Sequence, residues 1–160
     1  MSYMINLQIA RNEDRTLLWN INQKYLYEMT QYYDDPMDEN GNFHYGHFEE
    51  YFSDPNRTAY LLYDDDNLVG FALLNPYSCC RGKPDYTMAE FTIFPACRRR
   101  YLASEAVKTV LEKHPGKWEI KYNEKNSAAK EFWNKITSGY SPEKTRLNEE
   151  ETVLSFEAAI

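Results

Sequence analysis

The middle of the chain passes from an apolar run straight into three arginines, and this junction constrains the fold more than any other feature. The run over 91–95 predicts a strand, and the apolar spacing after the arginines at 98–100 predicts a helix from residue 102. The first turn of a helix carries backbone N–H groups without partners and a partial positive charge. Three cationic side chains at that turn indicate a phosphate site, with a solvated basic turn as the alternative.

The composition is that of a globular protein. Of the 160 residues, 42% are hydrophobic and 27% are charged, so we expect a single domain over 1–160. The formal net charge of -7 disfavours nucleic-acid and anionic-membrane partners and suits neutral or cationic small molecules. The 14 tyrosines are unusually many. Because a tyrosine packs its ring and keeps its hydroxyl near polar partners, we expect many of them to line a cleft.

No sequence signal indicates export, a membrane span or a metal site. Charged residues interrupt the first 20 positions, and no apolar run is long enough to cross a bilayer. The cysteines Cys79, Cys80 and Cys97 form neither a disulfide framework nor a zinc-binding spacing. His44 and His47 lack a further ligand at suitable spacing. We therefore expect a cytoplasmic protein with reduced thiols and no metal.

Apolar periodicity predicts the element order β-α-α-β-β-β-α-β-α-β-β. Strands alternate apolar and polar residues, and helices repeat apolar residues at spacings of three and four positions. The acidic stretch 64–67 between two apolar runs indicates a hairpin, and Asn126 is a predicted helix N-cap. The predicted strands cover 4–9, 58–63, 68–74, 86–94, 118–122, a stretch near 143–147, and 153–156. The predicted helices begin at residue 12, cover 48–52, follow the arginines as far as His114, and follow Asn126 as far as Ser138.

Two motifs in this order resemble the GNAT superfamily of acyl-CoA N-acyltransferases. Residues 98–104, Arg-Arg-Arg-Tyr-Leu-Ala-Ser, are similar to its pyrophosphate loop Q/R-x-x-G-x-G/A. Residues 126–135, Asn-Ser-Ala-Ala-Lys-Glu-Phe-Trp-Asn-Lys, are similar to its N-x-x-A-x-x-F-Y-x-K segment. The resemblance implies a mixed α/β (α+β) fold. In that fold a mostly antiparallel sheet of about seven strands is flanked by about four helices and splays apart between strands 4 and 5.

The resemblance also implies acetyl-CoA as a co-substrate and direct transfer of its acetyl group to an amine. The fourth strand would pair with the pantetheine arm, and the arginines with the following helical turn would hold the pyrophosphate. Asn126 would contact the pantetheine from the side of the fifth strand. The predicted cofactor-binding residues are Phe91, Thr92, Ile93, Arg98, Arg99, Arg100, Tyr101, Leu102, Ala103, Ser104, Asn126 and Trp133.

The resemblance assigns the chemistry to one carboxylate. Glu90 stands where family members often place a base that takes a proton from the acceptor amine, with a solvent-facing or ion-paired carboxylate as the alternative. The first helix and the loop after it cover the acceptor site, where Tyr25, Tyr32 and Tyr33 suit an ammonium group. We expect the acceptor to be a primary amine of a small molecule or peptide, and the protein to be a monomer or homodimer.

Two residues depart from the family pattern. Tyr101 stands where the family has its first glycine. Helical backbone angles are open to a tyrosine, so its ring is free to point outward, stack on adenine or crowd the pyrophosphate. Trp133 replaces a tyrosine proposed to protonate the leaving thiolate; an indole N–H cannot deliver that proton near neutral pH, and core packing with Phe132 is its alternative role. Both departures favour a rival hypothesis, a non-catalytic GNAT-fold binding module.

Overall fold

Seven strands in one sheet and three α-helices make up the structure over residues 5–98 and 101–159, which are the residues that the computed structural model describes. The strands are β1 (Ile5–Ile9), β2 (Thr58–Asp64), β3 (Asn67–Asn75), β4 (Tyr86–Ile93), β5 (Gly116–Asn123), β6 (Glu143–Arg146) and β7 (Glu151–Ala158). The helices are α1 (Arg15–Met29), α2 (Leu102–Lys113) and α3 (Ser127–Thr137). None of these three helices has the length and apolar character that crossing a bilayer requires.

The strand order is β1-β2-β3-β4-β5-β7-β6, and every neighbouring pair is antiparallel except β4 and β5. The prediction of a mixed, mostly antiparallel sheet is therefore confirmed. The parallel β4–β5 pairing extends only from Tyr86↔Trp118 to Met88↔Ile120, and beyond it the two strands separate. This separation confirms the predicted splay, and it leaves the backbone of 89–93 without a strand partner on the side that faces β5.

The helices differ from the prediction in one place. The stretch 48–52 is predicted as a short helix but forms a single 3-10 turn over Glu49–Phe52, so in the described part of the chain three α-helices flank the sheet. Asp54-Pro55 follows at once, and a residue that precedes a proline disfavours helical angles, so the turn has no room to grow. The cap prediction is confirmed, because the Asn126 side chain accepts a hydrogen bond from the Ala129 N–H.

The sheet carries an apolar core on each face. On one face α1 packs Leu18 and Ile21 against Leu61, Phe71 and Leu73. On the other face α2 and α3 cover a larger core that includes Leu62, Ala72, Leu74, Met88, Val107, Val110, Trp118, Ile120, Trp133 and Leu154. Successive side chains of a strand point to opposite faces of the sheet. The core in which a strand residue is buried therefore shows the face to which its side chain points.

A β-bulge in β4 decides which face Glu90 serves. Leu74 pairs with Met88 and Leu73 pairs with Glu90, so Ala89 is an extra residue in the strand. Met88 belongs to the core under α2 and α3, and regular alternation would point Glu90 to that same apolar face. The extra residue turns Glu90 to the α1 face instead, which is the face of its partner Leu73.

Tyr101 precedes α2 with left-handed backbone angles, φ 66° and ψ 13°. The prediction of helical angles at this position is wrong, because the backbone takes a left-handed conformation that glycine adopts without strain. For a residue with a Cβ the left-handed conformation costs roughly 1–2 kcal/mol. Tyr101 is 78% exposed, so its ring points outward, one of the orientations expected from the sequence.

Replacing Tyr101 by glycine is expected to stabilise the fold. The substitution removes the left-handed strain, and the larger backbone entropy of glycine in the unfolded chain offsets part of that gain. We expect Tyr101→Gly to raise the free energy of unfolding by about 0.5–1 kcal/mol. For a domain of this size, each kcal/mol corresponds to a rise in Tm of roughly 2–4 °C. Urea unfolding followed by circular dichroism measures the change.

Ser141 provides the matched control. It is exposed, has φ 50°, and lies after α3, remote in sequence from the arginine junction. Ser141→Gly is therefore expected to give a similar gain by the same mechanism. A gain for Ser141→Gly together with a loss for Tyr101→Gly would contradict the strain argument and would mean that the Tyr101 side chain stabilises the fold by contacts.

Candidate active site

A cleft of about 980 Å³ occupies the split between β4 and β5 and extends onto both faces of the sheet. On the α1 face its wall is polar, and on the face of α3 and the start of α2 it is apolar. The polar wall includes Tyr25, Glu28, Tyr32, Tyr33, Asp35, Tyr45, Tyr77, Cys79, Glu90 and Lys121. The apolar wall includes Met88, Phe91, Ile93, Ala103, Ala129, Phe132 and Trp133. The split thus has a polar mouth on one face and an apolar channel on the other.

The structure brings most of the predicted site residues together in this cleft. Those that line it are Tyr25, Tyr32, Tyr33, Glu90, Phe91, Thr92, Ile93, Arg98, Ala103, Asn126 and Trp133. Leu102 is buried in the core under α2. Tyr101 and Ser104 do not line the cleft, although both stand at the start of α2 beside Ala103. Arg99 and Arg100 lie outside the described residues.

Glu90 is held among hydroxyl groups at the polar mouth. The Tyr45 hydroxyl donates a 2.6 Å hydrogen bond to its Oε2. Burial raises the pKa of the Glu90 carboxyl, and hydrogen bonds from Tyr45 and Tyr25 with the charge of Lys121 oppose that rise without cancelling it. A carboxylate with a raised pKa that still faces a cleft is suited to take a proton from an ammonium group.

The apolar wall is built by an aromatic cluster. Trp133 is buried and packs edge-to-face on Phe91 and Phe132, with ring centroids 5.6 and 4.9 Å away, and Phe91 and Phe132 stack at 6.3 Å. Trp133 therefore does pack in the core, as its helical spacing suggests, and it lines the cleft as well. The cluster supplies shape and excludes water, but it contains no group that exchanges a proton near neutral pH.

Arg98 is engaged by α1. Its guanidinium donates to both carboxylate oxygens of Glu28 at 2.6 and 2.7 Å. It also donates to the Ile93 carbonyl at 2.7 Å and to Thr92 Oγ1 at 3.2 Å. The side chain predicted to hold phosphate thus ties the end of β4 to the last turn of α1. Its role toward phosphate stays a prediction, and any anion that recruits it competes with Glu28.

A second charge network lies across the split from Glu90. Tyr33 donates a 2.8 Å hydrogen bond to Glu151 Oε2, and the Lys121 ammonium lies 3.2 Å from the same oxygen. Burial raises the pKa of the Tyr33 phenol, and the hydrogen bond to Glu151 raises it further. Sequence reasoning missed Lys121 and Glu151. Alternation on β5 places Lys121 on the α1 face, but only the position of the split makes that face part of a site.

A buried carboxylate holds the loop that closes the polar wall. Glu119 on β5 is 3% exposed and accepts hydrogen bonds of 2.7 Å from Ser78 Oγ and 2.7 Å from the Cys79 N–H. The Cys79-Cys80 pair lies beside Glu119 as free thiols. Burial raises the pKa of the Cys79 thiol to about 11, so it is not a reactive thiolate. Across 5–98 and 101–159, no three metal-ligating side chains converge.

Comparison with known families agrees with this architecture. The acetyltransferase (GNAT) family matches residues 16–137, which is most of the chain and includes the split, the bulge and both motifs. The chain belongs to the GNAT acetyltransferase family. Acetyl transfer from acetyl-CoA is the reaction of that family, so the resemblance seen in the sequence is confirmed.

Solved structures with the same fold cover nearly the whole chain. An acetyltransferase from Thermus thermophilus superposes with a TM-score of 0.70 at 17% identity, over 98% of this chain and 99% of that one. Arabidopsis thaliana NAA60, solved with acetyl-CoA, gives 0.62 at 10% identity over 96% and 98%. The ribosomal-protein-S18-alanine N-acetyltransferase of Escherichia coli gives 0.62 at 11% over 98% and 96%. A search of curated proteins gives no significant match.

The Arg98–Glu28 pair is expected to act as one unit in stability. Arg98→Ala removes all four hydrogen bonds of the guanidinium and leaves Glu28 without its partner, so we expect a loss of roughly 1–2 kcal/mol. Once Arg98 is gone, Glu28→Gln should cost little more. The double mutant is thus expected to unfold at about the same urea concentration as Arg98→Ala. Additive losses would show that the two side chains contribute independently.

The hydrogen bond from the Tyr45 hydroxyl is expected to lower the pKa of the Glu90 carboxyl. This bond favours the ionised carboxylate, so Tyr45→Phe should move the pKa of Glu90 further upward. An NMR titration of 13C-labelled glutamate carboxyls, with Glu90 assigned through Glu90→Gln, reports the change without any substrate. Tyr77→Phe serves as the control because Tyr77 lines the same wall and its hydroxyl makes no hydrogen bond to Glu90. A downward or absent shift in Tyr45→Phe would refute the assignment.

Proposed function

We propose that this chain transfers the acetyl group of acetyl-CoA directly to a primary amine of a small molecule or peptide. The observation that carries the proposal is the position of Glu90. The bulge at Ala89 turns this carboxylate out of the apolar core and into the mouth of the β4–β5 split, where tyrosine hydroxyls surround it. A base at that point meets an amine that arrives from the α1 face and a thioester that fills the split from the other.

The residues at the cofactor end suit acetyl-CoA in three ways. The first turn of α2 presents backbone N–H groups and a partial positive charge to a pyrophosphate. The backbone of 89–92, which has no strand partner on the side of β5, offers donors and acceptors to the amides of a pantetheine arm, which would lie there as an extra strand. Ala103 and Ala129 are small residues that line the split and leave room for that arm.

Asn126 has two parts in the proposed acetyl-CoA site, a contact with the pantetheine arm and the N-cap of α3. Its side-chain oxygen caps α3 through the Ala129 N–H at 3.1 Å, and its amide NH2 group remains as a donor. The proposed contact with pantetheine is therefore a donated hydrogen bond to one of the pantetheine carbonyls. The same cap fixes the start of α3, and thereby the position of Phe132 and Trp133 beside the thioester.

The acceptor wall suits an ammonium group. Glu28 and Lys121 are each paired with an opposite charge, whereas Glu90 has hydroxyl partners and retains its negative charge toward the cleft when ionised. Tyr25, Tyr32 and Tyr33 add ring faces and edges that favour a cation. Holding the amine and the thioester together in this cleft supplies much of the rate enhancement that such a transfer requires.

The test combines a binding measurement with an acceptor screen. Calorimetry with acetyl-CoA and with CoA establishes cofactor binding. Release of CoA thiol is then measured with a panel of aliphatic diamines, amino acids, amino sugars and peptides with free N-termini. Glu90→Gln is expected to lower kcat by about 10²–10⁴-fold with little change in acetyl-CoA affinity, because glutamine keeps the shape but cannot accept the proton.

The pH dependence gives this test its control. The deficit of Glu90→Gln should shrink as the pH approaches the pKa of the acceptor itself, since the free amine then forms without a base. Full activity of Glu90→Gln at neutral pH would reject the base assignment. Binding of neither acetyl-CoA nor CoA at millimolar concentration would reject the enzyme and favour the rival, a GNAT-fold module that acts through protein contacts.

A further inference from the structure

The reaction proposed above needs a proton donor, and the aromatic cluster of Phe91, Phe132 and Trp133 does not contain one. When the thioester carbon–sulfur bond breaks, the sulfur leaves as a thiolate that requires a proton. Trp133 stands where many family members have a tyrosine, and its indole N–H does not supply a proton near neutral pH. Its aromatic neighbours Phe91 and Phe132 carry no acidic hydrogen at all. Tyr122 also lines the cleft from this face, but it is 4% exposed and its hydroxyl accepts a hydrogen bond from the Asn134 amide, so solvent has poor access to restore a proton lost from it. We therefore expect the donor on the more exposed polar wall.

The tyrosines of the polar wall that flank Glu90 are poor donors. The hydroxyl hydrogens of Tyr45 and Tyr33 are given to carboxylates, at 2.6 Å to Glu90 and 2.8 Å to Glu151. Burial raises the pKa of Tyr25, and nearby carboxylates raise it further. A phenol with a raised pKa releases its proton less readily than an ordinary one. Burial likewise raises the pKa of the Cys79 thiol, to about 11.

Lys121 stands at the right place in the split. The last paired residues of the two strands are Met88 and Ile120, and Lys121 is the next residue of β5. Glu90 occupies the corresponding position of β4 once the bulge at Ala89 is passed. Both side chains line the cleft, and the charge of Lys121 acts on the Glu90 carboxyl. The two groups therefore flank the mouth of the split from opposite strands.

Glu151 orients the Lys121 ammonium through an ion pair. Glu151 Oε2 lies 3.2 Å from Nζ, and Glu151 is itself held by Tyr33 at 2.8 Å and by the Asn148 amide at 2.9 Å. The polar groups around Lys121 include Glu151 on β7, Glu90 on β4, Cys79 in the loop before β4, and Tyr33, whose hydroxyl shares the Glu151 oxygen. The side chain is 40% exposed, so solvent can return a proton to it after each turnover.

We propose that Lys121 is a second catalytic residue, whose ammonium protonates the CoA thiolate as the amide forms; this rests on the acetyl-transfer function proposed above. Glu90 takes one proton from the ammonium form of the acceptor. The free amine nitrogen bonds to the thioester carbon, the carbon–sulfur bond breaks, and the sulfur receives a proton from Lys121. The second proton lost by the nitrogen returns to Lys121 through solvent, and the proton on Glu90 leaves to bulk water, so the sum is acetylated amine, CoA thiol and one proton.

A lysine can perform this task because the reference pKa values of an ammonium group and a thiol, about 10.4 and 8.5, make the transfer unfavourable by only roughly 80-fold, which is about 2.6 kcal/mol. That cost is small beside the barrier of the acetyl transfer, and it is recovered when solvent returns a proton to Lys121. An arginine in the same place would keep the charge and the pairing with Glu151. It would not donate, because a guanidinium is not deprotonated in proteins.

The test uses acetyl-CoA with 1,4-diaminobutane as the probe acceptor and compares Lys121→Arg with Lys121→Met. Both are expected to lower kcat by roughly 10²-fold or more, the usual contribution of a positioned acid, while KM for acetyl-CoA changes little. Lys117→Arg is the matched control, since Lys117 lies four residues earlier on the same face of β5 and does not line the cleft. It should retain wild-type kcat.

A second acetyl donor distinguishes a role of Lys121 in proton transfer from a role that depends only on its positive charge. The acetyl thioester of an aromatic thiol releases a thiolate that needs no proton, so with this donor Lys121→Arg should come within a few-fold of wild type. Wild-type kcat in Lys121→Arg with acetyl-CoA, an equal deficit with both donors, or acetylation of Lys121 in intact-mass spectra would each overturn the proposal. A wild-type protein that turns over no amine in the panel overturns the acetyl-transfer function and this proposal together.

Discussion

The early end of the parallel pairing between β4 and β5 is the constraint on which the rest of the structure depends. Two parallel strands joined through a crossover helix usually continue side by side, but here pairing stops at Met88↔Ile120. The strands then diverge, and backbone groups that a sheet would satisfy are left to face a cleft of about 980 Å³. Backbone groups without a strand partner next to an apolar channel are costly unless something else satisfies them, so the split is a place where an added extended chain can pair.

The charges around this split are balanced pairwise. Arg98 neutralises Glu28 on one side and Lys121 neutralises Glu151 on the other, while Glu90 between them meets hydroxyl groups. A carboxylate in such a setting keeps its charge available to the cleft, yet the pairs around it keep the local field small. The protein as a whole has a net charge of -7, a balance that attracts cations from a distance toward a cleft lined by the Glu90 carboxylate.

Sequence reasoning reached the fold and most of the cleft, and its failures have physical causes. Local sequence patterns predict the strand and helix periods, the hairpin at 64–67 and the Asn126 cap, because each depends on residues that are neighbours in the chain. The left-handed angles of Tyr101 could not be predicted, because they are uncommon for a residue other than glycine. The pairing of Arg98 with Glu28 and the facing of Lys121 toward Glu90 join residues far apart in the chain, and no local pattern records them.

The bulge at Ala89 also bears on how relatives of this protein are compared. One extra residue moves Glu90 from one face of the sheet to the other, so the register of β4 changes within the strand, where alignments rarely place a gap. A relative whose fourth strand lacks the bulge would carry its cleft-facing acid one position away from Glu90. Aligned without a gap, the two acids would fall in different columns, and an acid that is present in both proteins would be scored as lost.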